Sequence, residues 1–299
     1  CKVMNQFAAV LFLDSTTTSL PAALKQLFPG AGGNASPSAV KIQLLFDFLT
    51  GNIEHLSFEP GRAPDQGYDC HMAKIQADSL LIQDLGYFNL HLLQTLVGQD
   101  AFFLTRWKND SHLYLAENPE VPLDMRAFLS RQTTETEEYP VFLGARARLP
   151  CRMIAVRLPD ATIAKRRQRA KANAKRKGET VSSRSLALLD WNIFLTNVPA
   201  KQLSVPHILV CYSLRWQVEL IFKLWKSEAA LKHLAGCRKE RVLVELYAKM
   251  VGIVLTHFLV APLRFLLSHH RIEISPVKAR KVLQDLSLIH ISEPTRPTT

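Results

Sequence analysis

Two short stretches limit the possible fold more than anything else in the chain. AAVLFLD (residues 8–14) is a continuous apolar run of strand length, SLLIQD (79–84) is a strand-like stretch around Leu80-Leu81-Ile82, and each ends in an aspartate. A run that is apolar at every position, and not only at alternate ones, suits a strand covered on both faces, as in a sheet flanked by helices. VKIQLLFDFLTGNIEHLSFEPG (40–61) reads as two strands joined at Thr50-Gly51-Asn52, and AFFLTRW (101–107) as a further strand. Between them NLHLLQTLVGQ (89–99) has helical character, while LPAALKQLFP (20–29) and DQGYDCHMAKIQ (65–76) suggest short helices. GAGGNASPSA (30–39) is loop. This order predicts a mixed α/β fold.

Residues 107–200 differ in character. HLYL, YPVFLGA, PCRMIAVRLP and WNIFLTNVP are short β-like runs, interrupted by the basic block IAKRRQRAKANAKRKGE (163–179). From about residue 206 to 285 the pattern is helical. The expected organisation is a first part of the core in 1–106, a β-rich insertion with a basic segment in 107–185, and the remainder of the core with C-terminal helices in 186–285. The last fourteen residues, LSLIHISEPTRPTT (286–299), break the preceding pattern and resemble a translated sequencing adapter, so they are set aside. The chain opens on Cys1 with no methionine before a core strand, which suggests a fragment.

The chain of 299 residues carries a net charge of +11 with 47% hydrophobic residues. Such a basic globular composition points to a polyanionic partner, nucleic acid before an anionic membrane. No apolar run reaches a membrane-spanning length of about 18 residues. The longest candidate, MVGIVLTHFLVAPLRFLL (250–267), is broken by His257, Pro262 and Arg264 and reads as a core helix. Five scattered cysteines without a CxxC pair suggest a reducing cytoplasm, with no structural zinc and no disulfide framework.

CYSLRWQVELIFKLWKSEAAL (211–231) places charges on an otherwise apolar helix. At about 100° per residue, Tyr212, Arg215, Glu219 and Lys226 fall at roughly 0°, 300°, 340° and 320°, one wedge of about 60°, with Lys223 on its edge at about 20°. One reading is a surface stripe held by Arg215–Glu219 and Glu219–Lys223 pairs. The other makes Glu219 a metal ligand and Arg215 and Lys226 phosphate holders. Asp14 and Asp84 end their strands, where a sheet gathers its functional residues. Each could equally cap a turn. Asp190 is a rival to Asp84, but it precedes its strand. Three carboxylates in a basic protein suit one or two Mg²⁺ ions. Two such ions about 4 Å apart activate a water or a 3′-hydroxyl and stabilise the leaving oxygen in phosphodiester cleavage.

The combination resembles the insertion-sequence-four family of DDE transposases. Tyr212-x2-Arg215-x3-Glu219-x6-Lys226 matches that family's motif without a gap. LFLDSTTTSLP and LIQDLGYF resemble its two aspartate blocks, and VKIQLLFDFLTGNI, FFLTRWK and WNIFLTNVP resemble the intervening strands in the same order. The resemblance covers residues 8 to 260. It implies a ribonuclease-H-like mixed sheet with flanking helices and a β-rich insertion between the second and third acidic residues. It also implies metal-dependent cutting at transposon ends and strand transfer into target DNA. Asp14, Asp84 and Glu219 would then hold Mg²⁺, with Mn²⁺ as a substitute, while Tyr212, Arg215, Lys223 and Lys226 contact DNA. Double-stranded DNA, as transposon ends and target, is the implied partner, in a homodimeric synaptic complex on the bacterial nucleoid, with no membrane partner. Family members carry a helical end-binding region ahead of this domain.

Weaker signals fit around this reading. Lys165, Arg166, Arg167, Arg169, Lys171, Lys175, Arg176 and Lys177 form a basic block that reads as a solvated helix face, a basic loop or a non-specific phosphate contact. Trp225 reads as core, although the four tryptophans could also stack an unpaired base. His269-His270 reads as solvated. Two alternatives stand beside the transposase: a two-metal nuclease of the same fold without strand transfer, and an inactive relic that only binds DNA.

Overall fold

The computed structural model describes residues 2–32, 35–132, 134–228 and 238–268, with 282 and 285. Its described strands are β1 (Val10–Ser19), β2 (Ala39–Asp47), β3 (Ile53–Pro60), β4 (Leu80–Gln83), β5 (Phe102–Arg106), β6 (Leu113–Leu115), β7 (Thr136–Leu143), β8 (Leu149–Arg157) and β9 (Trp191–Thr196). The described helices are α1 (Leu90–Gly98), α2 (Met125–Ser130), α3 (Asp160–Arg176), α4 (Ser183–Leu188), α5 (Val205–Leu214), α6 (Trp216–Glu228) and α7 (Lys239–Ser268). The tail from 286 and the His269-His270 pair lie outside the described residues.

The chain divides into two compact units, each built from separated segments: one from 1–13 and 64–215, the other from 14–63 and 216–299. In the first unit the strands run in the order β1-β4-β5-β9-β8-β7-β6. β1 pairs β4 in parallel from Val10↔Leu80 to Leu13↔Gln83, and β4 pairs β5 in parallel. From β5 to β9 and outward the pairing is antiparallel, which makes this a mixed sheet. The all-apolar pattern of the central strands has the expected result: Leu11, Phe12, Leu80, Leu81, Ile82, Phe103 and Leu104 are essentially inaccessible to solvent. The β5–β9 seam is locked by side chains as well as backbone. Thr196 Oγ1 donates to the Phe103 carbonyl at 2.6 Å, while Asn197 accepts from Phe103 N and donates to the Ala101 carbonyl.

In the second unit the hairpin of β2 and β3 pairs from Val40↔Pro60 to Phe46↔Ile53. Its turn is built as the sequence suggests. Gly51 takes a left-handed φ of 76°, and the buried Asp47 carboxylate accepts from Leu49 N and Thr50 Oγ1. α7 packs on this hairpin: Phe58 meets Tyr247 edge to face, and His257 Nε2 donates to the Gly51 carbonyl at 2.6 Å.

Several expectations are corrected. β1 does not stop at Asp14 but continues to Ser19, because Thr16, Thr17 and Thr18 are β-branched residues that favour strand over turn. Residues 20–29 and 65–76 give only 3-10 turns, at Ala22–Leu24, Asp65–Gly67 and Met72–Lys74. For the basic block, where helix face and loop both stood open, the structure gives a regular helix, α3. α7 is not a core helix. One stripe, Val242, Leu246, Met250 and Ile253, is buried, while Val244, Val251, Leu255, Phe258 and Leu259 are exposed. By length and composition alone its Lys239–Leu259 portion is apolar enough to cross a membrane, a property that uninterrupted apolar runs do not reveal.

Candidate active site

The first unit places one of the three acidic candidates among cations. Asp84 follows the last residue of β4 and precedes a 3-10 turn, Leu85–Tyr87. It sits at the cap position of that turn, but its side chain makes no capping hydrogen bond; only its backbone carbonyl closes the turn to Tyr87 N. Asp84 is therefore not a turn cap. Its carboxylate, about half exposed, stands 3.9 Å from Arg215 Nε. At that separation the contact is an ion pair without a hydrogen bond.

Arg215 and Tyr212 are held to this place by β9 and β8. The Tyr212 ring packs edge to face on Phe194 of β9, with centroids 4.9 Å apart. Arg152 of β8 donates from Nη1 to the carbonyls of Val198 and Leu203, which fixes the segment leading into α5. Pro206 in the first turn of α5 suits a helix start. Burial, and then the Asp84 charge, push the Tyr212 phenol up to about 12, against the pull of Arg215 and Arg106. Tyr212 is thus a neutral hydroxyl at any ordinary pH. Arg106, at the end of β5, joins the cluster through its field on Tyr212. No feature of the sequence had singled it out.

The stretch expected as one helix is two. α5 ends at Leu214 and α6 begins at Trp216, with Arg215 between them at φ −50°, ψ −32°. The dihedrals of Arg215 itself remain helical. Arg215 pairs with Asp84 across the sheet, a partner the helical-spacing reading did not consider. Trp216 is exposed and carries Lys223 Nζ 4.4 Å above its ring, whereas Trp225 is buried as expected.

The other two acidic candidates belong to the second unit. Asp14 follows Leu13, the residue paired with Gln83, just as Asp84 follows Gln83; its Oδ1 accepts from Ser15 N at 2.8 Å. Glu219 lies in the first turn of α6, with Lys223 and Lys226 further along the same helix. Among the described residues, no group of three or more His, Cys, Asp or Glu is placed to hold a metal ion.

On α3 the block divides by role. Arg167 grips Asp190 with two hydrogen bonds, of 2.9 and 2.6 Å, and Arg166 donates to Asn192 Oδ1 at 3.0 Å. Lys165, Arg169 and Lys171 face solvent. Asp190 is thereby a structural anchor. Arg167 is engaged by Asp190 while its side chain stays 41% exposed.

Comparison with known proteins decides the family. A family model described as a transposase DDE domain matches residues 5–255. The chain belongs to the DDE transposase domain family. The transposase for insertion sequence element IS231C of Bacillus thuringiensis subsp. berliner is 32% identical over 310 aligned positions, covering 96% of this chain and 64% of the relative. That for IS1151 of Clostridium perfringens is 29% identical over 293 positions, covering 91% of this chain and 62% of the relative. The chain thus spans somewhat under two thirds of the length of these relatives. Among solved structures, a piggyBac transposase synaptic complex with hairpin DNA matches with a TM-score of 0.51 at 11% identity, over 97% of this chain and 55% of that one. That likeness concerns the fold, and it fits the ribonuclease-H-like class for this DDE transposase domain. Family membership implies use of a divalent metal ion.

Proposed function

We propose that the chain is the catalytic domain of a transposase that cuts DNA at transposon ends and joins them to target DNA, with Asp14, Asp84 and Glu219 as the metal-holding carboxylates. The observation that carries this reading is Asp84. A carboxylate at the end of a central parallel strand makes no cap, and it stands beside Arg215 and Tyr212 in a chain of this family.

Three carboxylates are hard oxygen donors and fit Mg²⁺, with Mn²⁺ in its place. Asp14, Asp84 and Glu219 would hold the metal, whose chemistry there would be activation of the attacking water or 3′-hydroxyl and stabilisation of the leaving oxygen. The protein's own groups supply the rest. Arg215, only 16% exposed, presents a guanidinium whose charge is weakly screened, and it would neutralise a phosphate beside Asp84. Tyr212 keeps its proton and donates to a phosphate oxygen. Lys223 and Lys226 on α6, with Lys165, Arg169 and Lys171 on α3, hold neighbouring phosphates.

Double-stranded DNA is the partner in this reading; the piggyBac synaptic complex, similar in fold, is itself a complex with hairpin DNA. A homodimer would pair the two ends, and the enzyme would work at the bacterial nucleoid in the cytoplasm. The Tyr212, Arg215, Glu219 and Lys226 spacing supports assigning it to the insertion-sequence-four transposases within that family.

The test is cleavage of labelled linear duplex DNA in Mg²⁺, in Mn²⁺ and in EDTA, beside Asp84→Ala, with pre-cut ends added to score joining. Metal-dependent cutting that disappears in the variant is the expected result. Cutting that persists in Asp84→Ala would overturn the assignment, and cutting without joining would favour a two-metal nuclease.

A further inference from the structure

The first unit contains a cavity of about 360 Å³, lined by the residue that follows Asp84, that neither the carboxylates nor Tyr212 and Arg215 account for. Leu85 lines one wall; Arg106 comes from the end of β5, Trp107 and Lys108 from the residues just after it, Arg166 from α3 and Trp191 from β9. Its charge is unbalanced. Lys108 is paired with Asp110 at 3.3 Å, and Arg167, beside Arg166, is taken by Asp190. Among the described residues no carboxylate pairs with Arg106 or with Arg166. Among those residues the buried Arg106 Nε has no hydrogen-bond partner, and the Arg166 guanidinium donates to the neutral Asn192 amide. Burial, and then the charge of Arg106, hold the Arg166 guanidinium below its usual range.

Two guanidiniums lining one cavity without a counter-ion disfavour each other, and a buried N–H left unmade is costly. Arg is also the side chain whose planar fork matches phosphate oxygens. We propose that Arg106 and Arg166 form a phosphate-binding site, the two guanidiniums sharing one phosphodiester phosphate in this cavity. This rests on the DNA-processing reading above. It adds to that reading a specific subsite, which places a backbone phosphate of the bound strand against Leu85, the residue next to the catalytic aspartate. The apolar and indole walls give the site a floor that water screens poorly, so the two contacts are stronger than those of the exposed cations on α3.

The experiment uses the full chain and two probes. Inorganic phosphate, titrated against chloride at constant ionic strength, reports on the site alone through the melting temperature. Labelled duplex DNA, bound across a series of salt concentrations, reports on its use. The variants are Arg106→Gln, Arg166→Gln and both together, with Arg166→Lys as a charge-keeping change and exposed Arg146→Gln as a control. Wild type and Arg146→Gln should melt higher in phosphate, and this shift should be lost in the double variant and partly kept in Arg166→Lys. Without phosphate the double variant should melt no lower than wild type, because it relieves like-charge repulsion.

In DNA binding, the slope of log K against log salt should fall by about 0.9 in either single Gln variant. The double variant should fall by no more, since both arginines serve one phosphate. A wild type indifferent to phosphate, or slopes unchanged from Arg146→Gln, would overturn the site and leave the transposase reading standing. A phosphate shift without any DNA binding would reject the DNA reading and keep the anion site, with a phosphate from another source.

Discussion

At the scale of single residues, Tyr212 shows how the surroundings set a group's chemistry. Its hydroxyl is buried near a carboxylate, so the folded protein holds the phenolic proton more tightly than the unfolded chain does. The folded value, about 12, lies above the unfolded value of about 10. The resulting stabilisation is complete below pH 10 and is lost as the pH rises from 10 to 12. Tyr212→Phe has no such proton to lose. Its deficit in urea midpoint relative to wild type at pH 8 should therefore shrink at pH 11, and a constant deficit would contradict the burial of the hydroxyl. Asp84→Asn tests the neighbouring carboxylate. Cleavage should fall by at least about 10³-fold with DNA affinity nearly unchanged, because charge in the reaction centre is lost while the phosphate contacts remain. Of the cluster in the first unit, three members were legible in the sequence: Asp84 as a carboxylate after an apolar stretch, and Tyr212 and Arg215 at helical spacing. Two things were not. That Asp84 forgoes the capping bond its position offers depends on side-chain direction, which no spacing encodes. Arg106 is a single arginine at the end of a strand, and only the folded sheet shows that its buried Nε has no hydrogen-bond partner among the described residues.

Secondary-structure elements were legible where periodicity is strong and less so where short polar residues decide. The strands β4 and β5 and the β2–β3 hairpin follow directly from apolar runs and turn residues. β1 ran past its apolar stretch, since three threonines read as a turn by polarity but extend as strand by branching. α7 was misjudged because its composition is apolar on nearly every side, so a buried stripe and an exposed one look alike in sequence. The fold separates them, and substitution should too. Leu246→Ala, at a fully buried position, should cost about 2–5 kcal/mol, whereas Val244→Ala, on the exposed side, should change stability by less than about 0.5 kcal/mol. Urea denaturation of the two variants measures both; equal costs would mean that the outer stripe is also covered. α3 gives a second comparison. The Arg167–Asp190 fork ties the helix to the start of β9, and the Asp190 side chain is only 19% exposed. Asp190→Asn should lower stability by about 1–2 kcal/mol, as expected for a partly screened charge-assisted pair. A double change to Arg167→Gln/Asp190→Asn should cost less than the sum of the two single changes.

Over the whole molecule the dominant quantity is charge, +11 in total, and its arrangement predicts how DNA binding divides between strength and chemistry. The cations fall into two groups. Arg215, Arg106 and Arg166 are partly buried and tied to the sheet, whereas Lys165, Arg169 and Lys171 project from α3 into solvent. Exposed cations interact with phosphates mainly through counter-ion release, so each contact contributes a salt-dependent increment and little geometry. Replacing Lys165, Arg169 and Lys171 together by Gln should therefore lower the slope of log K against log salt by up to about 2.7, at about 0.9 per phosphate contact. The affinity loss should be large at low salt and should shrink as salt rises. Single-turnover cleavage at saturating DNA should stay within about twofold of wild type, because none of the three touches the reacting groups. Arg215→Gln should behave in the opposite way, with a modest change in salt slope and a cleavage rate lower by about 10²-fold even at saturation. Fluorescence anisotropy across a salt series, paired with single-turnover cleavage, measures both quantities on the same samples. If the α3 variant instead lost cleavage at saturation while keeping its salt slope, α3 would belong to the reaction centre and the division between positioning and chemistry would be wrong.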